Sequence, residues 1–240
     1  MLWADQHRPI KFDSMILHRN IHDKLKSVAQ DNCHLLFHGA NGSGRHTLVK
    51  CLLRQIFGSQ VEKVRIDSHE FKTPSNKTVE IETVSSNHHI VVNPSEAGIH
   101  DRVVVQELIK TMAKSRTLNI GNSKKFNVVV INDAQTLSFS AQNAMRRTME
   151  RYMGTCRIFF VTNSLTMITS AVQSRCFIVR VPSPNQDEFR EILTEIFARE
   201  KKNIKYIDKF NNNEFIDSLM IESDYNLRKA ILMAEAANTT

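Results

Sequence analysis

Cysteine is scarce in this chain of 240 residues, and the four present, Cys33, Cys51, Cys156 and Cys176, form no CxxC pair. That spacing argues against a zinc site of the usual kind and against a disulfide framework, and it fits a reducing compartment. Long apolar runs are missing as well. The longest, around Val128–Ile131 and Ile158–Val161, fall far short of the roughly 20 residues a membrane-spanning helix needs. The N-terminus carries Asp5 and Arg8 where a secretory leader would be apolar, so a cytosolic or nuclear protein with no membrane partner is expected. The chain has no internal repeat, and no interleaving of aromatic and basic residues of the kind that stacks on bases.

What is present is a core and a surplus of positive charge. A hydrophobic content of 41% can fill one large domain or a domain with a small satellite. Thirty-two Lys and Arg against 25 Asp and Glu leave a net charge of +7, which favours polyanions or acidic protein surfaces as partners.

Short β-branched or aromatic runs (34–38, 63–67, 127–131, 157–162 and 177–181) alternate with helical patterns (21–29, 47–57, 103–111, 140–150 and 169–174), as in a parallel sheet with helices on both faces. Between Ser68 and Pro94 the sequence turns polar and β-rich, flanked by Pro74-Ser75-Asn76 and Asn93-Pro94. This stretch reads as an inserted hairpin outside the main alternation. After Pro182 and Pro184 three helical segments follow, enough for a small bundle. Residues 1–182 are therefore expected to form an α/β domain, and 183–240 a three-helix lid.

The stretch LLFHGANGSGRHTL (Leu35 to Leu48) resembles the phosphate loop G-x-x-x-x-G-K-[ST], with Gly39, Gly42 and Gly44 in place. Such a loop needs glycines so that backbone N–H groups can close around phosphate oxygens at a helix N-terminus, a Lys to reach the outer phosphates and a hydroxyl for Mg²⁺. Arg45 stands where the Lys belongs and His46 where the hydroxyl belongs, while Thr47 points about 100° further round the helix. The apolar strand that should end in two acids ends in Asn132-Asp133, which removes one charge and displaces the base. Phosphoryl transfer depends on positioning to within about an ångström. The expectation is a loop that holds ATP or ADP, with the usual magnesium ligands altered, and does not hydrolyse it efficiently. A purely structural glycine turn is the alternative.

Ordered motifs then narrow the reading. WADQHRP (Trp3 to Pro9), HGANGSGRHT, VVVINDAQTLS, AQNAMRRTME (Ala141 to Glu150), TNS after Phe160-Val161, QSRC (Gln173 to Cys176) and DYNLRKAI (Asp224 to Ile231) resemble, in that order and over essentially the whole chain, small subunits of replication factor C, the eukaryotic AAA+ loader of the sliding clamp. The hairpin sequence and the loop, with His46-Thr47 at a Lys-Thr position, are similar to the subunit with a degenerate ATP site at the end of the five-subunit arc.

The resemblance implies an AAA+ P-loop domain with a β-hairpin insertion and a helical lid. It also implies that a collar domain usual in the family is absent from these 240 residues. Arg175 looks like an arginine finger inserted into a neighbour's ATP site. The nucleotide-side residues would be Trp3, Arg8 and Pro9, with His7 beside them, then Gly39, Asn41, Gly42, Ser43, Gly44, Arg45, His46 and Thr47, then Asn132 and Asp133, with Asn163 as sensor 1 and Arg228 as sensor 2. Tyr225 occupies the position of a glycine that usually precedes sensor 2.

DNA would be met by Arg102, Lys110, Lys114 and Arg146 through phosphates, independently of sequence, and Arg147 serves an interface equally well. No resident metal is expected. Implied partners are the other loader subunits in a heteropentamer, the sliding clamp and primer-template DNA, in the nucleus. The alternatives are an autonomous AAA+ ATPase, or a DNA-binding scaffold without nucleotide.

Overall fold

The computed structural model describes residues 2–29, 31, 33–72, 78–115, 126–200 and 213–239. The chain gathers into two compact units, one made of Lys24–His38 and Leu52–Arg180, the other of Met1–Asp23, Gly39–Cys51 and Val181–Thr240.

The larger unit is built on strands β1 (His34–His38), β2 (Arg65–Lys72), β3 (Thr78–Ser85), β4 (His89–Val92), β5 (Asn127–Ile131), β6 (Cys156–Thr162) and β7 (Cys176–Arg180), in the spatial order β2-β3-β4-β5-β6-β1-β7. The five strands from β4 to β7 in that order run parallel. Every residue of β5 and β6 is buried, which is why both read as continuous apolar runs and do not alternate.

The hairpin differs from its expected place. β2 and β3 pair antiparallel from Arg65↔Ser85 to Lys72↔Thr78 and extend the same sheet at its edge. HHIVV, expected to lie outside the alternation, forms β4, which pairs with β3 and runs parallel to β5. Ile90 and Val92 are buried, and an apolar strand of that kind is stable only with a neighbour on each side. The flank expected at Pro74-Ser75-Asn76 lies outside the described residues.

Helices α4 (Asp101–Ser115) and α5 (Phe139–Tyr152) pack on each other and contribute Val104, Leu108, Ile109, Met145 and Met149 to the apolar cluster that also holds Val129, Ile131 and Phe160. One buried carboxylate fixes both N-termini. Asp101, 2% exposed, accepts from its neighbour Arg102 N at 2.7 Å and from Ser138 N at 2.6 Å and Ser138 Oγ at 3.0 Å, while Ser138 Oγ caps α5 by accepting from Ala141 N. A negative charge at two positive helix ends is favourable at both.

In the second unit, α1 (Trp3–Gln6), α7 (Gln186–Glu200), α8 (Asn213–Glu222) and α9 (Leu227–Thr239) share an apolar cluster around Phe189, Leu193, Leu219, Met220 and Ala234. The ring of Trp3, expected beside a base, packs in this cluster at 6% exposure, and its backbone N–H donates to Glu235 Oε2 at 3.0 Å. A large apolar ring is held best where it loses the most water. His7 and Gln6 both meet the buried Glu200, at 2.6 Å and 3.0 Å, and pin the N-terminal segment to α7. Among the described residues no helix is long and apolar enough to cross a membrane.

Candidate functional site

The phosphate-loop sequence follows β1 and leads into α3 (Arg45–Phe57). Two of its glycines are required by geometry. A Cβ on Gly39 would lie 2.0 Å from the backbone oxygen of Val181. Gly42 has φ +78, and its Cβ would lie 2.0 Å from Asn226 Oδ1. The N-terminus of α9 therefore closes directly on the loop, and only glycine lets the two backbones approach so nearly. His18, itself at φ 62, braces the loop from the other side by a 2.7 Å hydrogen bond between Nε2 and the Ser43 carbonyl.

Arg45 stands at the Lys position of the loop and opens α3. It is 6% exposed, and its Nη2 donates to Asn41 Oδ1 at 2.8 Å. The loop keeps its positive charge, but the charge is tied to the loop's own side chain. The Ser43 Oγ is fully buried with no hydrogen-bond partner among the described residues. Backbone curvature, a buried cation and an orphaned hydroxyl fit a phosphate group. The magnesium position fits poorly, since His46 is exposed where a hydroxyl is needed. Among the described residues no group of three His, Cys, Asp or Glu could hold a metal.

The same unit holds an open cleft of about 410 Å³ between Ile16, His18, Ile21, Pro182, Asn185 and Glu188, a volume suited to a small ligand. Arg8 and Arg228, far apart in sequence, both turn to Asp5, at 2.8 Å and 3.7 Å. Burial pushes the Arg8 guanidinium below its ordinary value, with Asp5 opposing the shift and Arg228 adding to it. The glycine position before α9 is resolved as well. Tyr225 adopts φ 58, the left-handed conformation a glycine would take there. Its ring meets Phe189 edge-on at 6.3 Å, and its hydroxyl accepts from Gln186 at 2.9 Å, contacts that hold an otherwise unfavourable backbone. Cys51 Sγ lies against the Pro9 carbonyl at 3.6 Å, so Pro9 borders α3. Thr47 is half-buried in the first turn of α3.

In the sheet unit, Asn132 and Asp133 follow β5 and Asn163 follows β6, its neighbour. The Asn132 Oδ1 is buried without a partner among the described residues. Asp133 sits at φ 45 and accepts from Gln135 Nε2 at 3.0 Å, while Gln135 Oε1 accepts from the Asn163 backbone at 3.3 Å. Gln135, which sequence reasoning passed over, thus links the strand-end pair to Asn163. Its only signal was its place two residues after Asp133.

Arg175 follows the short helix α6 (Ser170–Gln173) and lies along its own surface. Its Nε and Nη2 donate to Glu150 Oε1 at 2.8 Å and 2.6 Å, and its Nη1 donates to the Ala171 carbonyl at 2.7 Å and to Ser174 Oγ at 3.2 Å. The hydrogen bonds from Arg175 hold the Glu150 carboxyl below the usual carboxylate range. The buried Gln142 bolts α5 to the segment before α6, donating to the Leu137 and Met167 carbonyls and accepting from Thr169 N at 2.7 Å. Cys176, next in sequence to Arg175, packs against the apolar cluster, and burial pushes its thiol up to about 12.

The expected DNA residues divide. Arg102 is exposed in the first turn of α4, and Arg146 and Arg147 are exposed on α5. Lys110 is paired with Glu107 at 2.6 Å, which offsets its charge. The side chain of Lys114 lies outside what the structure describes.

Comparison with known proteins places this geometry. The profile of the family described as "DNA polymerase III, delta subunit" matches residues 17–185. Replication factor C subunit 3 of Bos taurus is 40% identical over 98% of this chain, the probable replication factor C subunit 3 of Dictyostelium discoideum is 36% identical over 98%, and replication factor C subunit 5 of Schizosaccharomyces pombe is 38% identical over 99%. The chain spans 65% of the cattle and fission-yeast proteins and 67% of the Dictyostelium one.

Among solved structures, a RuvB variant of Thermotoga maritima superposes over 95% of this chain and 63% of its own, with a TM-score of 0.61 at 14% identity. The Aeropyrum pernix ORC1 protein in complex with DNA superposes over 90% and 58%, with a TM-score of 0.60 at 13% identity. At those identities the likeness is one of fold, a mixed α/β architecture with a mostly parallel seven-stranded sheet. The chain belongs to the replication factor C subunits, and it matches the family described as DNA polymerase III, delta subunit.

Proposed function

We propose that this chain is a subunit of a sliding-clamp loader that seats a nucleotide without hydrolysing it efficiently and supplies Arg175 to the ATP site of a neighbouring subunit. The observation that carries the first half is the state of the loop. Its backbone keeps the glycine geometry of a phosphate seat, while its cation is folded back onto Asn41. Bound nucleotide would supply the anionic phosphates to which the loop N–H groups, Ser43 and Arg45 are suited. Arg8, Pro9 and Arg228 border the same seat, and His18 and Gly44 hold its shape.

Efficient turnover needs a metal-binding hydroxyl and an acid pair, and His46 and Asn132-Asp133 provide neither in the usual form. In this reading residues 1–182 act as the AAA+ module and residues 183–240 as its lid. Asn163, reached through Gln135, serves as sensor.

The second half rests on Arg175 standing at the turn after α6, a helix whose leading segment Gln142 ties to α5. A finger adds charge where a transferring phosphate accumulates it, an effect of about 10³–10⁵ in rate in GTPases. The reading also takes the chain to assemble with other loader subunits, engage the sliding clamp and meet primer-template DNA without sequence preference through Arg102 and Arg146, in the nucleus; membership of the family supports the assembly.

The test has two arms. A fluorescent ATP analogue titrated onto the chain, with and without Mg²⁺, is expected to bind with little dependence on the metal and no turnover. In the assembly reconstituted with its partner subunits, Arg175→Ala is expected to lower clamp- and DNA-stimulated ATP turnover at least tenfold with assembly intact. Turnover by the chain alone would favour an autonomous ATPase, and absence of nucleotide binding would favour an empty scaffold.

A further inference from the structure

The trans-acting arginine is not free in this chain. A guanidinium carries five N–H donors. Here Nε gives one to Glu150, Nη1 gives both of its own to the Ala171 carbonyl and Ser174 Oγ, and Nη2 gives one to Glu150. A single N–H on Nη2 is left, and the carboxylate offsets the charge that a finger exists to deliver. An arginine so engaged can neither embrace a phosphate nor present a net positive charge to it.

We infer that Glu150 is a latch that stores Arg175 against its own subunit and yields it to a neighbour's nucleotide only on productive docking. This rests on the reading of Arg175 as the trans-acting residue.

Three features make the contact releasable. The Glu150 side chain is 57% exposed, so water and salt screen the pair, and a pair of that exposure holds its members by a factor of roughly two to five. Arg146, one helical turn earlier on α5, also acts on Glu150, so the carboxylate keeps a cationic neighbour when Arg175 leaves. Both Arg175 donors share the single oxygen Glu150 Oε1, whereas a polyphosphate carries more charge and offers two oxygens to the guanidinium fork, so it wins the competition once it is within reach. The Ala171 and Ser174 contacts are local to the turn, and they set where the released side chain starts from. The latch therefore lets the subunit assemble beside an ATP site without triggering it.

The experiment compares the wild type, Glu150→Gln, Arg175→Ala and the double variant in the reconstituted assembly, measuring ATP turnover with and without clamp and primed DNA. The latch predicts that Glu150→Gln raises unstimulated turnover roughly two- to fivefold, leaves the stimulated rate unchanged, and so lowers the stimulation ratio. It predicts that the double variant matches Arg175→Ala. In the chain alone, the Arg175 Nε–H nuclear magnetic resonance should move on Glu150→Gln, which reports the contact independently of turnover. A stimulated rate lowered by Glu150→Gln would make Glu150 a support for the finger and overturn the latch, as would no change in turnover or in the resonance. Normal turnover with Arg175→Ala would overturn the finger reading itself, and the latch with it.

Discussion

Gly42→Ala is the sharpest structural test of the loop. The substitution places a side chain at φ +78, where a residue with a Cβ costs about 1–2 kcal/mol. The new methyl would lie 2.0 Å from Asn226 Oδ1 and 3.0 Å from Asn226 Cα. The Asn226 side chain must therefore swing away, and it loses the hydrogen bond it accepts from Lys229 N at 3.1 Å at the start of α9. Loss of such a cap costs about 1 kcal/mol. The sum is about 2–3 kcal/mol, measured as the shift in urea midpoint at constant slope.

Asn226→Gly separates the two contributions. It removes the obstructing side chain at a cost of a few tenths of a kcal/mol. In that background Gly42→Ala should cost only the backbone part, a coupling of about 1 kcal/mol between the sites. A cost for Gly42→Ala under about 0.5 kcal/mol, against the backbone penalty, or an equal cost with and without the Asn226 side chain, would refute the close approach of α9 to the loop.

Other outcomes follow from single residues. Buried His34 accepts from Ile158 N at Nδ1 and donates from Nε2 to the Met149 carbonyl, and burial lowers its ring below the ordinary 6.5, the Met149 contact opposing the shift and Arg157 adding to it. The unfolded chain takes up the proton before the folded one does, so stability should fall as pH drops below 6.5, by up to about 1.4 kcal/mol per unit. Tm measured from pH 7.5 to 5 should show this, and His34→Gln should flatten it. Gln142→Ala strands the Leu137 and Met167 carbonyls and Thr169 N, and should cost about 3 kcal/mol in urea unfolding. It should also lower turnover in the assembly by loosening the segment that leads into α6, the helix before Arg175. Arg102→Ala and Arg146→Ala should each reduce the slope of log K against log salt for primed DNA by about one, equally for unrelated sequences. A change in sequence preference would contradict phosphate contact.

The sequence alone determined the elements and their chemistry. Continuous apolar runs dictated the buried strands β5 and β6, glycine spacing dictated the loop before α3, and the ordered motifs carried the family likeness. These are local properties, set by side-chain period and backbone freedom within a dozen residues. Tertiary structure decided what each chemical group is bound to. The His89–Val92 run became an inner strand because β3 and β5 flank it, a pairing no local pattern encodes. Trp3 became a core residue through an α9 that begins more than 200 residues later, its backbone bonding Glu235 at a separation of 232. Tyr225 could take a glycine's conformation because Phe189 and Gln186 hold it. Arg175 met Glu150 at a separation of 25. Motif position says that a cation is available, whereas its charge acts only through the anion it reaches, and that distance exists only once the chain has folded.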